Sequence, residues 1–308
     1  MGESSEFKIA EGEKIMKSKL KGAQRRNLTG WLFLLPATIL IFAMSFYPMV
    51  QALLLSFQTG VGNNLQWGGL SNYKRLLEDT VFITSIKNNF FYLIIQVPIM
   101  LVLALILASL LNKKDLKCKG LFRTAIFLPC CTALVSYSII FKTLFSYDGY
   151  VNTVLLNLGL IGSRINWLGQ TSTAKVIIII ALIWRWTGYN MVFYLAGLQN
   201  IDDSLYEAAR MDGAGPIKTF FSITVPLLRP TILLTTIMSI NGTLQLFDES
   251  VNLTNGGPAN STLTMSHYIF KTSFEYNSQF GYAAAMSYVI FILVAILSFI
   301  QMKVGDKR

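Results

Sequence analysis

The chain has 308 residues, of which 53% are hydrophobic and 14% charged, with a mean hydropathy of +0.51 and a formal net charge of +10. That balance is too apolar for a soluble domain of this length. The basic residues stand in short clusters beside apolar runs rather than on one folded face, which argues against nucleic acid as a partner.

The segment 1–30 forms a basic arm, with Lys8, Lys14, Lys17, Lys19, Lys21, Arg25 and Arg26 preceding the first apolar run. That run far exceeds the roughly 7–15 residues of a signal-peptide core, so it is expected to be retained as a span, the arm lying in the cytoplasm and attracted to anionic lipid. Apolar runs of about 20 residues, the length a bilayer requires, fall at about 31–57, 88–111, 121–145, 174–198, 230–247 and 280–302. Within the segment 146–173, the Leu155-Leu156-Asn157-Leu158-Gly159-Leu160 stretch is expected to lie along the interface rather than cross it. Lys and Arg concentrate in the arm, in the connection carrying Lys113, Lys114, Lys117, Lys119 and Arg123, in the loop 202–229, and in the tail 303–308. Those regions are therefore expected to face the cytoplasm. Cys118, Cys130 and Cys131 match no zinc or redox spacing and are expected to be inert packing residues.

The loop 202–229 is the longest polar interruption in the second half. Ser204 followed by Glu207 has the form of a capping box, which starts a short helix near Leu205 with Leu205, Ala208 and Ala209 on one face. Gly213 ends it, and Pro216 starts a second short helix that carries Ile217, Phe220 and Phe221 until Pro226 closes it. Small alanines beside the turn permit close approach to another surface.

The residues Glu207-Ala208-Ala209, Asp212-Gly213-Ala214 and Pro226 resemble the EAA loop of ABC importer permeases, and more narrowly the sugar-type permeases related to the larger membrane subunit of the maltose transporter. Asn72-Tyr73-Lys74-Arg75-Leu76, Gly149-Tyr150-Val151-Asn152 and Thr254-Asn255-Gly256-Gly257-Pro258 are similar to phrases of that family at the same places. The resemblance implies an all-α membrane protein of six spans in the type I importer permease fold. Its coupling helix would comprise Tyr206, Glu207, Ala208, Ala209, Asp212, Gly213, Ala214, Gly215 and Pro216 and dock on a separate ATPase subunit. It further implies a second homologous permease, two ATPase subunits that bind ATP and Mg, a solute-binding protein outside the membrane, and a place in the bacterial inner membrane.

No nucleotide site is encoded in the chain itself. Gly213 to Thr219 ends like a P-loop, but Ile217 stands where the glycine before Lys218-Thr219 is required. No cofactor, metal cluster or nucleophile–base pair is expected, and His267 reads as a surface residue of an external segment. The carboxylates outside the arm and tail, including Asp248 and Glu249, fall in predicted loops or span ends. An ion-coupled carrier usually keeps an acid within the membrane, so their placement favours coupling through another chain.

Arg185, between Trp184 and Trp186, falls mid-span and must face protein or a watery cavity. It either lines a path or pairs structurally, for example with Asp248. A sugar offers hydroxyls to polar groups and a ring face to aromatic ones. Spans four and five hold such a mixture: Trp184, Gly188, Tyr189 and Asn190, then Ser239, Thr243 and Gln245, with Tyr137 of span three nearby. The resemblance places the intramembrane sugar contacts in this region, although Tyr137, Trp184 and Thr243 stand where the maltose permease carries smaller or amide side chains. An anionic solute such as glycerol phosphate within the same family, an ion-coupled secondary carrier and an intramembrane enzyme are the alternatives.

Overall fold

The computed structural model describes residues 29–113 and 115–305. The basic cluster from Lys8 to Arg26, Lys114, and the tail residues 306–308 lie outside them. Two compact units, 1–55 and 56–308, divide the chain.

In the first unit, helix α1 (Thr29–Ser56) starts inside the expected arm, and none of its apolar window is buried. It contains a π turn at Phe42–Phe46, where the Tyr47 N–H bonds to the Phe42 carbonyl five residues back. The wider turn carries the helix past Pro48, which has no N–H to give.

The second unit opens with a hairpin that the sequence did not announce, β1 (Gln58–Val61) paired antiparallel with β2 (Asn64–Trp67). Helix α2 (Ser71–Glu78) is tied to it through Asn72, whose amide donates to the Ser56 and Gln58 carbonyls at 2.9 and 2.7 Å. Next come α3 (Thr80–Leu111), α4 (Lys119–Cys131), α5 (Leu134–Leu144), α6 (Tyr150–Asn157) and α7 (Thr171–Gln199). The remainder is α8 (Asp203–Met211), α9 (Pro216–Leu227), α10 (Arg229–Leu244), α11 (Met265–Phe270) and α12 (Phe280–Gly305). Among the described residues, α1, α3, α7 and α12 are long and apolar enough to cross a membrane. The bent pairs α4–α5 and α9–α10 bring the number to six when each pair counts as one span.

Three expected spans differ in form. Helix α3 begins at Thr80 rather than 88, because the Asp79 carboxylate caps it by accepting from Val81 N and Phe82 N. The segment 121–145 is not one rod: α4 and α5 meet at 98°. Pro129 removes a donor near the end of α4, and Thr132 and Ala133 are extended. Helix α10 stops at Leu244, short of 247, and the chain runs irregularly to a π turn at Ser250–Thr254.

Irregular backbone at membrane depth is tolerated only where protein satisfies its polar groups. Asn89 of α3 does so, donating to the Thr243 and Leu244 carbonyls at 2.9 and 3.0 Å and accepting from Met265 N at 3.0 Å. Asn88 similarly donates to the Asn260 and Leu263 carbonyls. Around these amides pack Phe82, Leu244, Leu263, Met265, Tyr282 and Met286. A second cluster joins α3, α5 and α7 through Tyr92, Phe141, Ile178 and Leu182. A third seats Ala104 and Ala108 of α3 against Met191 and Tyr194 of α7, the small residues allowing close approach. In α12, Gly281, Ala284 and Ala285 are buried as helix-packing residues, whereas Ser287 is exposed.

Outside the spans, Asn152 holds the 146–173 connection together, donating to the Tyr147 and Ile165 carbonyls and accepting from Trp167 Nε1. Helix α6, at eight residues, is about 12 Å long and too short to cross. The cysteines are not core residues: Cys118 and Cys131 are exposed and Cys130 is half-buried.

Candidate functional site

Two regions hold the predicted functional residues. In the first, α8 starts at Asp203, two residues earlier than the capping-box reading. Its cap is Asp202, whose carboxylate accepts from Ser204 N at 2.9 Å, and not the Ser204–Glu207 pair. The same hydrogen bond holds the Asp202 carboxyl below its ordinary range. At the other end Gly213, at φ +72°, occupies the left-handed position. Ala214 N donates to the Ala209 carbonyl and Gly213 N to that of Arg210, a Schellman closure.

Pro216 starts α9 as expected, but Pro226 does not close it. A π turn over Phe220–Thr224 precedes that proline, and the helix continues to Leu227, where it bends by 70° into α10. Tyr206 of α8 reaches Thr224 of α9, oxygen to oxygen 3.3 Å. Ala209 is buried, Tyr206 and Ala214 are half-buried, and Glu207, Ala208, Asp212, Gly213, Gly215 and Pro216 are exposed. Beside them Met211, Ile217 and Phe221 are 89%, 75% and 65% exposed. The result is a two-helix knob with its own caps and an uncovered apolar surface.

The second region is a cavity of about 400 Å³ between α3, α7 and α10, within the roughly 300–1,000 Å³ of small-molecule sites. Of the nine predicted path residues, Arg185, Tyr189, Asn190, Ser239, Thr243 and Gln245 line it. Trp184, Gly188 and Tyr137 do not. Residues 182, 185, 186 and 189 of α7 share a face at helical spacing, so Trp186 is the indole on the wall. Trp184 lies about 200° around the helix from it and packs on Phe141 at 5.5 Å. Gly188 is a packing residue: a Cβ there would come within 1.9 Å of the Ile126 carbonyl oxygen, where α7 crosses α4.

Tyr137 is fully buried behind the wall, where its hydroxyl donates to Glu249 Oε1 at 2.7 Å. Over its ring, 4.6 Å from the centroid, lies the Arg185 guanidinium, which also donates from Nη2 to the Thr132 carbonyl at 3.4 Å. Arg185 therefore faces the cavity, and no ion pair links it to Asp248 among the described residues. Further along, Thr243 Oγ1 donates to Gln96 Oε1 at 3.1 Å, and Ser239 to Asn190 Oδ1 at 3.5 Å.

Among the wall residues outside the expected path, three carry amide or carboxylate side chains: Gln96, Asp248 and Glu249. Glu249 was grouped with loop carboxylates, yet it is 3% exposed. An acid does lie within the apolar interior, so the argument from absent acids fails. The available signal was position, since Asp248 and Glu249 directly follow an apolar run with no glycine or proline between Thr243 and Phe247. His267 is likewise not a surface residue. It is fully buried, with Nδ1 2.8 Å from Ser250 Oγ and Nε2 without a hydrogen-bond partner. Burial, reinforced by Lys271, lowers its pKa to about 4. The described residues contain no group of three or more His, Cys, Asp or Glu able to hold a metal ion.

Comparison with known proteins agrees with this architecture. The model of the family "binding-protein-dependent transport system inner membrane component" matches residues 82–308. The lactose transport system permease protein LacF of Rhizobium radiobacter is 52% identical over 284 residues, 92% of this chain and 95% of that protein. The arabinooligosaccharides transport system permease protein AraP of Bacillus subtilis strain 168 is 34% identical, over 89% of this chain and 88% of that one. In fold, the chain is similar to the crystal structure of a bacterial ABC transporter involved in the import of the acidic polysaccharide alginate. The TM-score is 0.83 at 23% identity, covering 94% of this chain and 99% of that one. The chain thus belongs to the family of inner membrane components of binding-protein-dependent transport systems, as a transport subunit rather than an enzyme.

Proposed function

We propose that the chain is a permease subunit of an ABC importer for an uncharged sugar of about disaccharide size. The observation that carries this reading is the cavity between α7 and α10, whose wall mixes amides, hydroxyls and the Trp186 and Tyr189 rings, the combination a sugar's hydroxyls and ring face require. The similarity to LacF supports a disaccharide and makes lactose the first probe. No observation favours the glycerol phosphate alternative. With Glu249 inside the cavity wall, the case against an ion-coupled carrier rests on the family rather than on missing acids.

The chain pairs with a second, similar permease, two ATPase subunits that bind ATP and Mg, and a solute-binding protein outside the membrane. The termini and the α8–α9 knob face the cytoplasm. ATP binding draws the ATPases together, the knob from Tyr206 to Pro216 transmits the movement, and the cavity opens alternately to each side.

The test is to purify the importer through this chain, identify the accompanying subunits and the ligand carried by the soluble one, and measure ATP-driven lactose uptake in liposomes. Copurifying ATPases and saturable uptake are expected. Solute movement by the chain alone on an ion gradient would reject the proposal.

A further inference from the structure

Arg185 is 6% exposed, lines the cavity, and keeps two guanidinium nitrogens, Nε and Nη1, without a hydrogen-bond partner. Buried donors in that condition require a reason, because leaving them unpaired is costly. The contact with the Tyr137 ring, 4.6 Å from guanidinium carbon to ring centroid, is a cation–π contact that gives Nε and Nη1 no hydrogen-bond acceptor, while Nη2 donates to the Thr132 carbonyl. At the hydroxyl of the same tyrosine, Glu249 accepts the phenolic hydrogen through Oε1. A carboxylate has about four acceptor sites, so this bond leaves most of its capacity unused. One ring therefore braces a cation and an anion on the same cavity wall, and no ion pair closes between them among the described residues.

We propose that Arg185 and Glu249 form a charge-balanced clamp for neighbouring hydroxyls of the solute, Arg185 donating to one oxygen and Glu249 accepting from the next hydroxyl, with Tyr137 as the positioning residue. Asp248 is the third charged side chain on the wall. A carboxylate- or phosphate-bearing solute would thus meet two acids against one guanidinium, whereas a neutral polyol meets a matched donor and acceptor. The clamp selects uncharged sugars. This rests on the sugar reading above and deepens it.

The clamp and the coupling knob lie on different elements, so passage and ATPase stimulation should separate. In the importer purified through this chain and reconstituted in liposomes, with radiolabelled lactose as probe, Arg185→Gln and Glu249→Gln are each expected to lower uptake about tenfold or more, the loss of one charged hydrogen bond. Stimulation of the ATPase by lactose-loaded binding protein should stay within about twofold. Unchanged uptake in either variant would overturn the clamp alone. A parallel loss of uptake and stimulation would make the residues scaffolding and overturn it as well. If the unsubstituted importer takes up neither lactose nor any other uncharged sugar, the sugar reading falls and the clamp falls with it.

Discussion

The α8–α9 knob and the broken end of α10 are both places where a helix stops, and they stop for different reasons. At the knob the means of termination lie within a few residues of each end: Asp202 caps α8, Gly213 closes it, and Pro216 begins α9. At Leu244 the local closure is slight, Gln245 N and Leu246 N bonding back to the Asn241 and Thr243 carbonyls, and a distant side chain completes it. The last carbonyls of the helix are taken by Asn89, 154 and 155 residues away in sequence. An end built from its own sequence can be exposed and moved as a unit, whereas an end completed by a distant amide belongs to the interior and holds the cavity open beside it.

The largest effect separating these two kinds of end is expected at Asn89. Replacing Asn89 with Ala strands the Leu244 carbonyl and the Met265 N–H at membrane depth and leaves the Thr243 carbonyl with only the Leu246 N–H. At about 1–3 kcal/mol for each buried group left unpaired, the loss should be on the order of 4 kcal/mol, read as a large drop in thermal stability of the detergent-purified chain. A shift comparable to that of a surface substitution would show that α10 ends for reasons of its own.

Acid tests the same interior at its histidine. His267 is the chain's only histidine, and its folded pKa is lowered to about 4 from 6.5. The unfolded chain therefore takes up the proton first, and stability is lost as pH falls from about 6.5 toward 4, by up to about 3 kcal/mol. Asp79 titrates at lower pH: burial raises its pKa, but bonds from Tyr282, Phe82 N, Tyr268 and Val81 N outweigh this and hold it below the ordinary value. Melting temperatures between pH 7 and 5 should fall for the unsubstituted chain and much less for His267→Asn, which retains an acceptor for Ser250. Equal slopes would remove His267 from the account.

The smallest effect belongs to the knob. Asp202→Ala removes one exposed cap and should be seen as faster hydrogen exchange in α8 with the global melting temperature unchanged. A global loss would mean that the knob is more deeply integrated than its caps suggest.

This contrast also explains what could be read in advance. Gly213 and Pro216 act within their own turn, so both were legible; even so, the cap was misassigned, because Asp202 and Ser204 are equally good capping residues and only geometry chooses between them. Pro129 and Pro226 look alike in sequence. Both are followed by a bend, of 98° after Cys131 and 70° after Leu227, but only Pro226 is preceded by a π turn, and nothing in the residues themselves separates the two. In the cavity, Ser239, Thr243 and Asn190 stood out as polar residues in apolar runs. Trp184 and Trp186 could not be told apart without the rotation of α7, and Glu249 has the sequence position of a loop acid although the chain beyond α10 buries it in the cavity wall.

The central claim is that movement reaches the cavity through the α8–α9 knob, and the most direct measurement is Gly213→Pro in the assembled importer. Proline cannot adopt φ +72°, so the turn is lost while the buried contacts around the cavity remain. Lactose uptake and ATPase stimulation by loaded binding protein are expected to fall together, by about tenfold or more, with the chain still present and accompanied by its partner permease in the membrane. Uptake and stimulation both at the level of the unsubstituted importer would contradict the claim.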